Sequence, residues 1–145
     1  EVGGVVSGAN KYQKKKLYNF GKNLGTAFQL TDDALDYEGS SSKMGKNNGD
    51  DFYEGKVTLP VILALKTADR KEKDFWKKTF NKKVRNKTDL RIAKKIIKDK
   101  DTINQTLTLA NKYGEEAKNI MKDFESNPVR NALIDLVDFS LIRNY

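Results

Sequence analysis

Apolar positions along the chain recur in steps of three and four over most of its length. From Lys11 to about Tyr37, Leu17, Phe20, Leu24, Phe28 and Leu35, with neutral Thr31 between them, predict one face of a long helix, with Phe28 and Leu35 on the core side. Gly21 and Gly25 lie four apart near that face. In a helix interior each costs roughly 1 kcal/mol against alanine, so they are expected to permit close helix contact. Residues 39–50 are dominated by Gly, Ser and Asn, keep no period, and read as a loop. A short apolar helix is predicted over 59–68, with Pro60 in its first turn where the missing N–H costs nothing. Another is predicted over 72–80, anchored by Phe75, Trp76 and Phe80, followed by a basic connector over 81–87. Residues 88–98 place Leu90, Ala93, Ile96 and Ile97 inward. Asp101 is the expected N-cap of the next helix, whose inner positions are Ile103, Leu107, Ala110, Gly114, Ala117, Met121 and Phe124. Asn127 and Pro128 open a last helix with Leu133, Leu136, Val137 and Ser140 inward. The pattern contains no internal repeat and no convincing strand, and it predicts an all-α helical bundle.

Composition narrows the chemistry. The 145 residues fit one domain or part of a larger one. There are no cysteines and no histidines, which excludes disulfides, thiolate nucleophiles, imidazole acid–base catalysis and the usual zinc sites. Carboxylates, lysines, hydroxyls or a hard metal ion remain. No run of about 18 apolar residues exists, and the start, Glu1-Val2-Gly3-Gly4, is not a signal peptide. Residues 1–9 read as the end of an element begun earlier, so the chain is expected to be a fragment, and a cytoplasmic location is expected. The net charge of +8 is spread over Lys14-Lys15-Lys16, Lys77-Lys78, 82–87 and Lys94-Lys95. A basic helical nucleic-acid-binding module is one reading of those runs. A lysine-biased solvated exterior is favoured, because the lysines are scattered and no recognition motif appears, so no nucleic-acid partner is expected.

The most informative segment is Phe28-Gln29-Leu30-Thr31-Asp32-Asp33-Ala34-Leu35-Asp36. Residues i and i+4 share a helix face, so Asp32 and Asp36 lie side by side with Asp33 and Gln29 flanking. Three carboxylates so close repel one another unless a cation lies among them. Oxygen ligands on one helix face suit Mg²⁺, which keeps several waters and takes few carboxylates. A solvated acidic face is the plainer reading of this stretch alone, and an EF-hand is excluded because its alternating ligands around a central glycine are missing. The run Gly45-Lys46-Asn47-Asn48-Gly49-Asp50-Asp51-Phe52-Tyr53-Glu54-Gly55-Lys56-Val57-Thr58-Leu59-Pro60 begins nine residues after Asp36. Lys46 and Lys56 supply point charges for phosphate oxygens, and the glycines allow close backbone approach. It is not a Walker A loop, since the Gly-Lys-Ser/Thr order and its preceding strand are absent. A carboxylate–metal patch beside lysines is what a diphosphate requires.

These two segments resemble, in order and separation, the second aspartate-rich motif (F-Q-x-x-D-D-x-x-D) and the downstream G-K-x-x-G-x-D-x-x-x-G-K-x-T-x-P segment of the trans-type isoprenyl diphosphate synthases, the polyprenyl synthetases. Gly25-Thr26-Ala27-Phe28-Gln29 is similar to the family's approach to that motif, and 132–143 to its last helix. The stretch 44–60 looks closest to octaprenyl-type, long-chain enzymes. The resemblance is strong over 20–65, weaker beyond, and covers essentially the whole chain. It implies the C-terminal part of an isoprenoid synthase fold across 1–145. It further implies Mg²⁺ as cofactor, with Asp32 a direct ligand, Asp33 and Asp36 completing the patch, and Asp51 holding metal-bound water. Lys46 and Lys56 would contact the allylic diphosphate, Gln29 would sit beside the reacting allylic carbon, and Phe28 at the isopentenyl side. The implied activity is head-to-tail condensation of an allylic diphosphate with isopentenyl diphosphate by a homodimeric enzyme, its product giving possible peripheral membrane contact. The family's first aspartate-rich motif does not occur in these 145 residues, so the chain by itself is expected not to turn over. A non-catalytic partner subunit of a prenyl synthase is the alternative within the same fold.

Overall fold

A computed structural model describes residues 2–38 and 49–142. Among them every regular element is an α-helix: α1 (Val2–Val6), α2 (Lys11–Glu38), α3 (Asp50–Glu54), α4 (Leu59–Lys66), α5 (Arg70–Phe80), α6 (Lys87–Asp99), α7 (Thr102–Met121) and α8 (Pro128–Leu141). The chain forms two compact units, Glu1–Thr31 with Thr108–Asn144, and Asp32–Leu107.

In the first unit, Phe20 of α2, Ala117 and Met121 of α7 and Val137 of α8 form the core, with Leu17, Leu24, Leu133 and Leu141 packed against them. The last helix starts as its sequence predicts. Asn127 accepts a hydrogen bond from the Arg130 N–H at 2.9 Å, and Pro128 opens the helix. Arg130 Nε in turn donates to the Met121 carbonyl at 3.0 Å, closing the end of α7. Lys16, one of the predicted solvated lysines, pairs with Asp123 at 2.6 Å, and Lys118 pairs with Asp138 at 2.9 Å.

Three expectations fail in this unit. Gly21 and Gly25 are exposed, and a Cβ at either would meet nothing within 4 Å, so among the described residues no helix packs on them. Phe28 is 39% exposed, not on the core side, because the α2 face that packs here is centred on Phe20, Leu24 and Ala27. Leu136 is also exposed; α8 turns Leu133 and Val137 to the core and leaves Leu136 one position outside that stripe.

In the second unit, Tyr37, Phe52, Val61, Ala64, Trp76, Ala93, Ile96 and Ile97 make a continuous core. Trp76 stacks on Phe80 with ring centroids 5.7 Å apart, and Phe80 meets Phe52 edge-on at 6.0 Å. Helices α4, α5 and α6 pack pairwise. Helix α5 begins two residues before its predicted start, because Asp69 and Glu72 form a reciprocal capping box at 2.8 Å each way. Asn86 and Asp89 do the same for α6, which therefore starts at Lys87, inside the stretch predicted as a connector. Asp89 also holds Lys82 at 2.6 Å, which with the Asn86 N–H keeps its carboxyl below the usual range. Asp101 sits at the N-cap position of α7, where its carbonyl accepts from the Gln105 N–H at 3.2 Å. Its backbone is unusual for a cap, φ 53°, and its carboxylate accepts from the Asn104 side-chain amide at 2.6 Å.

Candidate functional site

The acidic end of α2 lies in the second unit. Ala34 and Tyr37 face the core, and Asp33 is also buried, while Asp32 and Asp36 are half-buried. The i, i+4 spacing of Asp32 and Asp36 is realised, but Asp36 does more than flank. Its Oδ1 accepts hydrogen bonds from the Gly49 N–H at 3.2 Å and the Asp50 N–H at 3.1 Å, while its main-chain carbonyl accepts a second bond from Gly49 at 3.1 Å. Asp36 thus supplies the side-chain cap that Gly49 lacks at the start of α3. Burial raises the Asp36 carboxyl above its ordinary range, the nearby Asp51 charge adds to this, and the backbone N–H groups oppose it. Its other oxygen, Oδ2, is buried with no hydrogen-bond partner.

Helix α3 falls, all but Asp50, in a stretch between the expected 39–50 loop and the 59–68 helix to which the sequence pattern assigns no element. It forms because left-handed glycines bracket it, Gly49 at φ 88° and Gly55 at φ 82°. At Gly49 a Cβ would lie 2.6 Å from Leu90, so both conformation and space exclude a side chain. At the far end the Lys56 N–H reaches the Asp51 carbonyl at 2.9 Å and the Gly55 N–H reaches Phe52 at 3.1 Å, which is a Schellman closure. That closure brings Lys56 Nζ back to Asp51 at 2.9 Å and to Glu54 at 2.8 Å. The two carboxylates, Glu54 first, hold the exposed Lys56 ammonium firmly protonated. Residues 51 and 56, for which the resemblance implies separate duties, are therefore one ion pair at the surface.

Several candidates are placed less informatively. Gln29 and Phe28 are exposed on α2 within the first unit. Lys46 lies outside the described residues. Among the described residues no group of three or more acidic side chains converges as a ready-made metal cage. The donor set fits a hard ion: all the candidates are oxygens, Mg²⁺ needs only one or two carboxylates from a protein, and Asp36 Oδ2 is buried with no hydrogen-bond partner among the described residues.

Two residues near the site were not read from sequence. Lys94 on α6 is half-buried, and burial lowers its pKa while the Asp36 charge opposes that. Its position on the inner side of the 88–98 pattern, one after Ala93, was the available signal. Arg85 looked like one more cation in a basic run. It is instead half-buried and bonded to main-chain carbonyls on both sides.

The second unit thus carries an acidic helix end that Asp36 ties to a glycine-bracketed turn bearing Lys56. Residues 1–98 match the polyprenyl synthetase family model. The chain belongs to the polyprenyl synthetase family. It is 31% identical over its whole length to octaprenyl diphosphate synthase of Haemophilus influenzae, of which it covers 44%. It is 32% identical to heptaprenyl diphosphate synthase component 2 of Geobacillus stearothermophilus, again over the whole chain and 44% of that protein. Among solved structures it superposes, with a TM-score of 0.87 and 40% identity, on the polyprenyl synthase of Caulobacter crescentus complexed with calcium and isoprenyl diphosphate, over 99% of this chain and 44% of that one. The chain spans less than half the length of the curated relatives it matches. The isoprenyl synthase all-α fold expected from the sequence is what these neighbours share. Among the described residues no helix is long and apolar enough to cross a membrane.

Proposed function

We propose that this chain is the second-motif part of a prenyltransferase that lengthens an allylic diphosphate by head-to-tail condensation with isopentenyl diphosphate. One observation carries the reading: Asp36 bonds the acidic helix directly to the Gly49–Lys56 turn, so the two segments of the family signature meet through named hydrogen bonds. The calcium and isoprenyl diphosphate held by the Caulobacter crescentus relative support it.

In this reading Asp32 would hold Mg²⁺, with Asp33 and Asp36 beside it and Asp51 in contact through water. The ion would supply positive charge to the leaving diphosphate. Lys56, already turned toward carboxylates, would exchange Glu54 for phosphate oxygens when the diphosphate arrives, with Lys46 as its companion. The allylic C–O bond breaks and its electron pair leaves with the diphosphate. The double bond of isopentenyl diphosphate then forms the new C–C bond to the allylic carbon, and a proton is lost to restore an alkene. Gln29 would lie beside the reacting carbon and Phe28 at the isopentenyl side. The intact enzyme would be a cytoplasmic homodimer whose long apolar product brings it to a membrane surface. The likeness to a component 2 protein favours one second reading, a subunit that works with another chain.

The test is incorporation of labelled isopentenyl diphosphate into an allylic primer by the intact enzyme. Condensation that disappears with a chelator and returns with Mg²⁺ is expected. Activity that a chelator leaves untouched contradicts the metal assignment, and activity that needs a second polypeptide selects the subunit reading.

A further inference from the structure

Arg85 sits between α5 and α6 and reaches back to the turn that carries Lys56. Its Nη1 donates to the Tyr53 carbonyl at 3.1 Å and its Nη2 to the Phe80 carbonyl at 3.0 Å. Its guanidinium lies over the Phe80 ring, 5.5 Å from the centroid. Tyr53 is in the last turn of α3, where the Asp51 and Phe52 carbonyls are taken by the Schellman closure and that of Tyr53 accepts from Arg85. The guanidinium also lies against Gly55, where a Cβ would stand 2.6 Å from Nη2, so a side chain there would collide with Arg85. Its Nε is buried and has no hydrogen-bond partner, a cost borne at this one place.

We infer that Arg85 is a positioning residue for the diphosphate-binding turn: its planar fork ties the end of α3 to the end of α5 and so sets where Asp51 and Lys56 present their charges. The inference rests on the proposed role of Lys56. Asp36 secures the start of the same helix, so the five residues of α3 are held at both ends. Lysine cannot replace the fork, because a single ammonium has neither the plane that stacks on Phe80 nor two donors directed at carbonyls on separate helices.

The test uses the intact enzyme with Arg85→Gln, Arg85→Lys and Lys56→Gln. In both Arg85 variants, amide exchange in the peptide spanning residues 53–58 should quicken about tenfold, as expected when charge-assisted hydrogen bonds are lost, while exchange in α7 and α8 is unchanged. KM for the allylic diphosphate should rise about tenfold with little change in kcat, and millimolar guanidinium ion should restore part of it in Arg85→Gln but not in Lys56→Gln. Unchanged exchange or unchanged KM in Arg85→Gln, with KM raised in Lys56→Gln, overturns the inference and leaves the Lys56 reading standing. An unchanged KM in Lys56→Gln overturns both. If Arg85→Gln does not fold, Arg85→Lys is read alone. Loss of fold in both variants, or full function in Arg85→Lys, refutes a positioning role for the fork.

Discussion

Asp32→Ala in the intact enzyme is expected to lower kcat/KM about 10²–10³-fold while the fold stays intact, the scale on which removal of one charge-stabilising group acts in a dry active site. Asp32 is half-buried on the second turn from the end of α2, with Ala34 and Tyr37 of the same helix in the core, so the helix keeps its packing without the carboxylate. The loss should therefore be chemical, and raised Mg²⁺ should recover part of it, because one fewer carboxylate weakens metal binding before it abolishes it. The comparison variant must be an acid that holds nothing. Asp69, the first acid outside the motif in this region, is unsuitable, since its carboxylate caps α5 and its loss costs about 1 kcal/mol. Asp74, exposed on the middle of α5, is the better comparison. Equal activity in Asp32→Ala and Asp74→Ala would remove Asp32 from the site.

The largest effect on stability is expected at Trp76. The indole is 1% exposed, stacks on Phe80, touches Phe75 edge-on at 5.2 Å, and fills the middle of the second unit's core. Trp76→Ala should cost about 3–5 kcal/mol in denaturant unfolding, a large share of the 5–15 kcal/mol typical of a domain. Trp76→Phe should cost much less than its lost volume suggests. The indole N–H is buried without a partner, and removing it recovers roughly 1 kcal/mol or more of desolvation cost. A Phe variant as unstable as the Ala variant would show that the N–H has a partner in solution. Phe80 also lies under Arg85, so the core and the turn share this aromatic group, and Trp76→Ala should loosen residues 53–58 as well.

Much of the fold was legible because it rests on period and punctuation. The steps of three and four gave α2, α6 and α7, and the Asn127-Pro128 start gave α8 to the residue. The starts of α5 and α6 were missed, because the capping boxes Asp69-x-x-Glu72 and Asn86-x-x-Asp89 move each start outward from the apolar pattern. The pattern could not say which of two apolar faces is covered. Phe28, Gly21 and Gly25 lie on an exposed stripe of α2, whereas Phe20 and Leu24 lie in the core. Helix α3 escaped notice because its stability comes from bonds to residues 13 or more away in sequence, Asp36 at one end and Arg85 at the other. At the candidate site, residue types and spacing pointed to Asp32, Asp33, Asp36 and Lys56, and the family resemblance added Asp51. Spacing could not reveal that Asp36 spends one oxygen on the backbone, or that Asp51 and Lys56 hold each other.

The central claim is that the acidic end of α2 and the Lys56 turn grip one magnesium–diphosphate group together. The most direct measurement is a calorimetric double-mutant cycle on the intact enzyme, with inorganic diphosphate titrated in the presence of Mg²⁺ into wild type, Asp32→Asn, Lys56→Gln and the double variant. Each single variant should bind about tenfold or more weakly, and the double variant should bind more tightly than the product of the two losses predicts, with a coupling of about 1 kcal/mol. Losses that simply multiply, or a Lys56→Gln variant that binds as wild type does, would contradict the account.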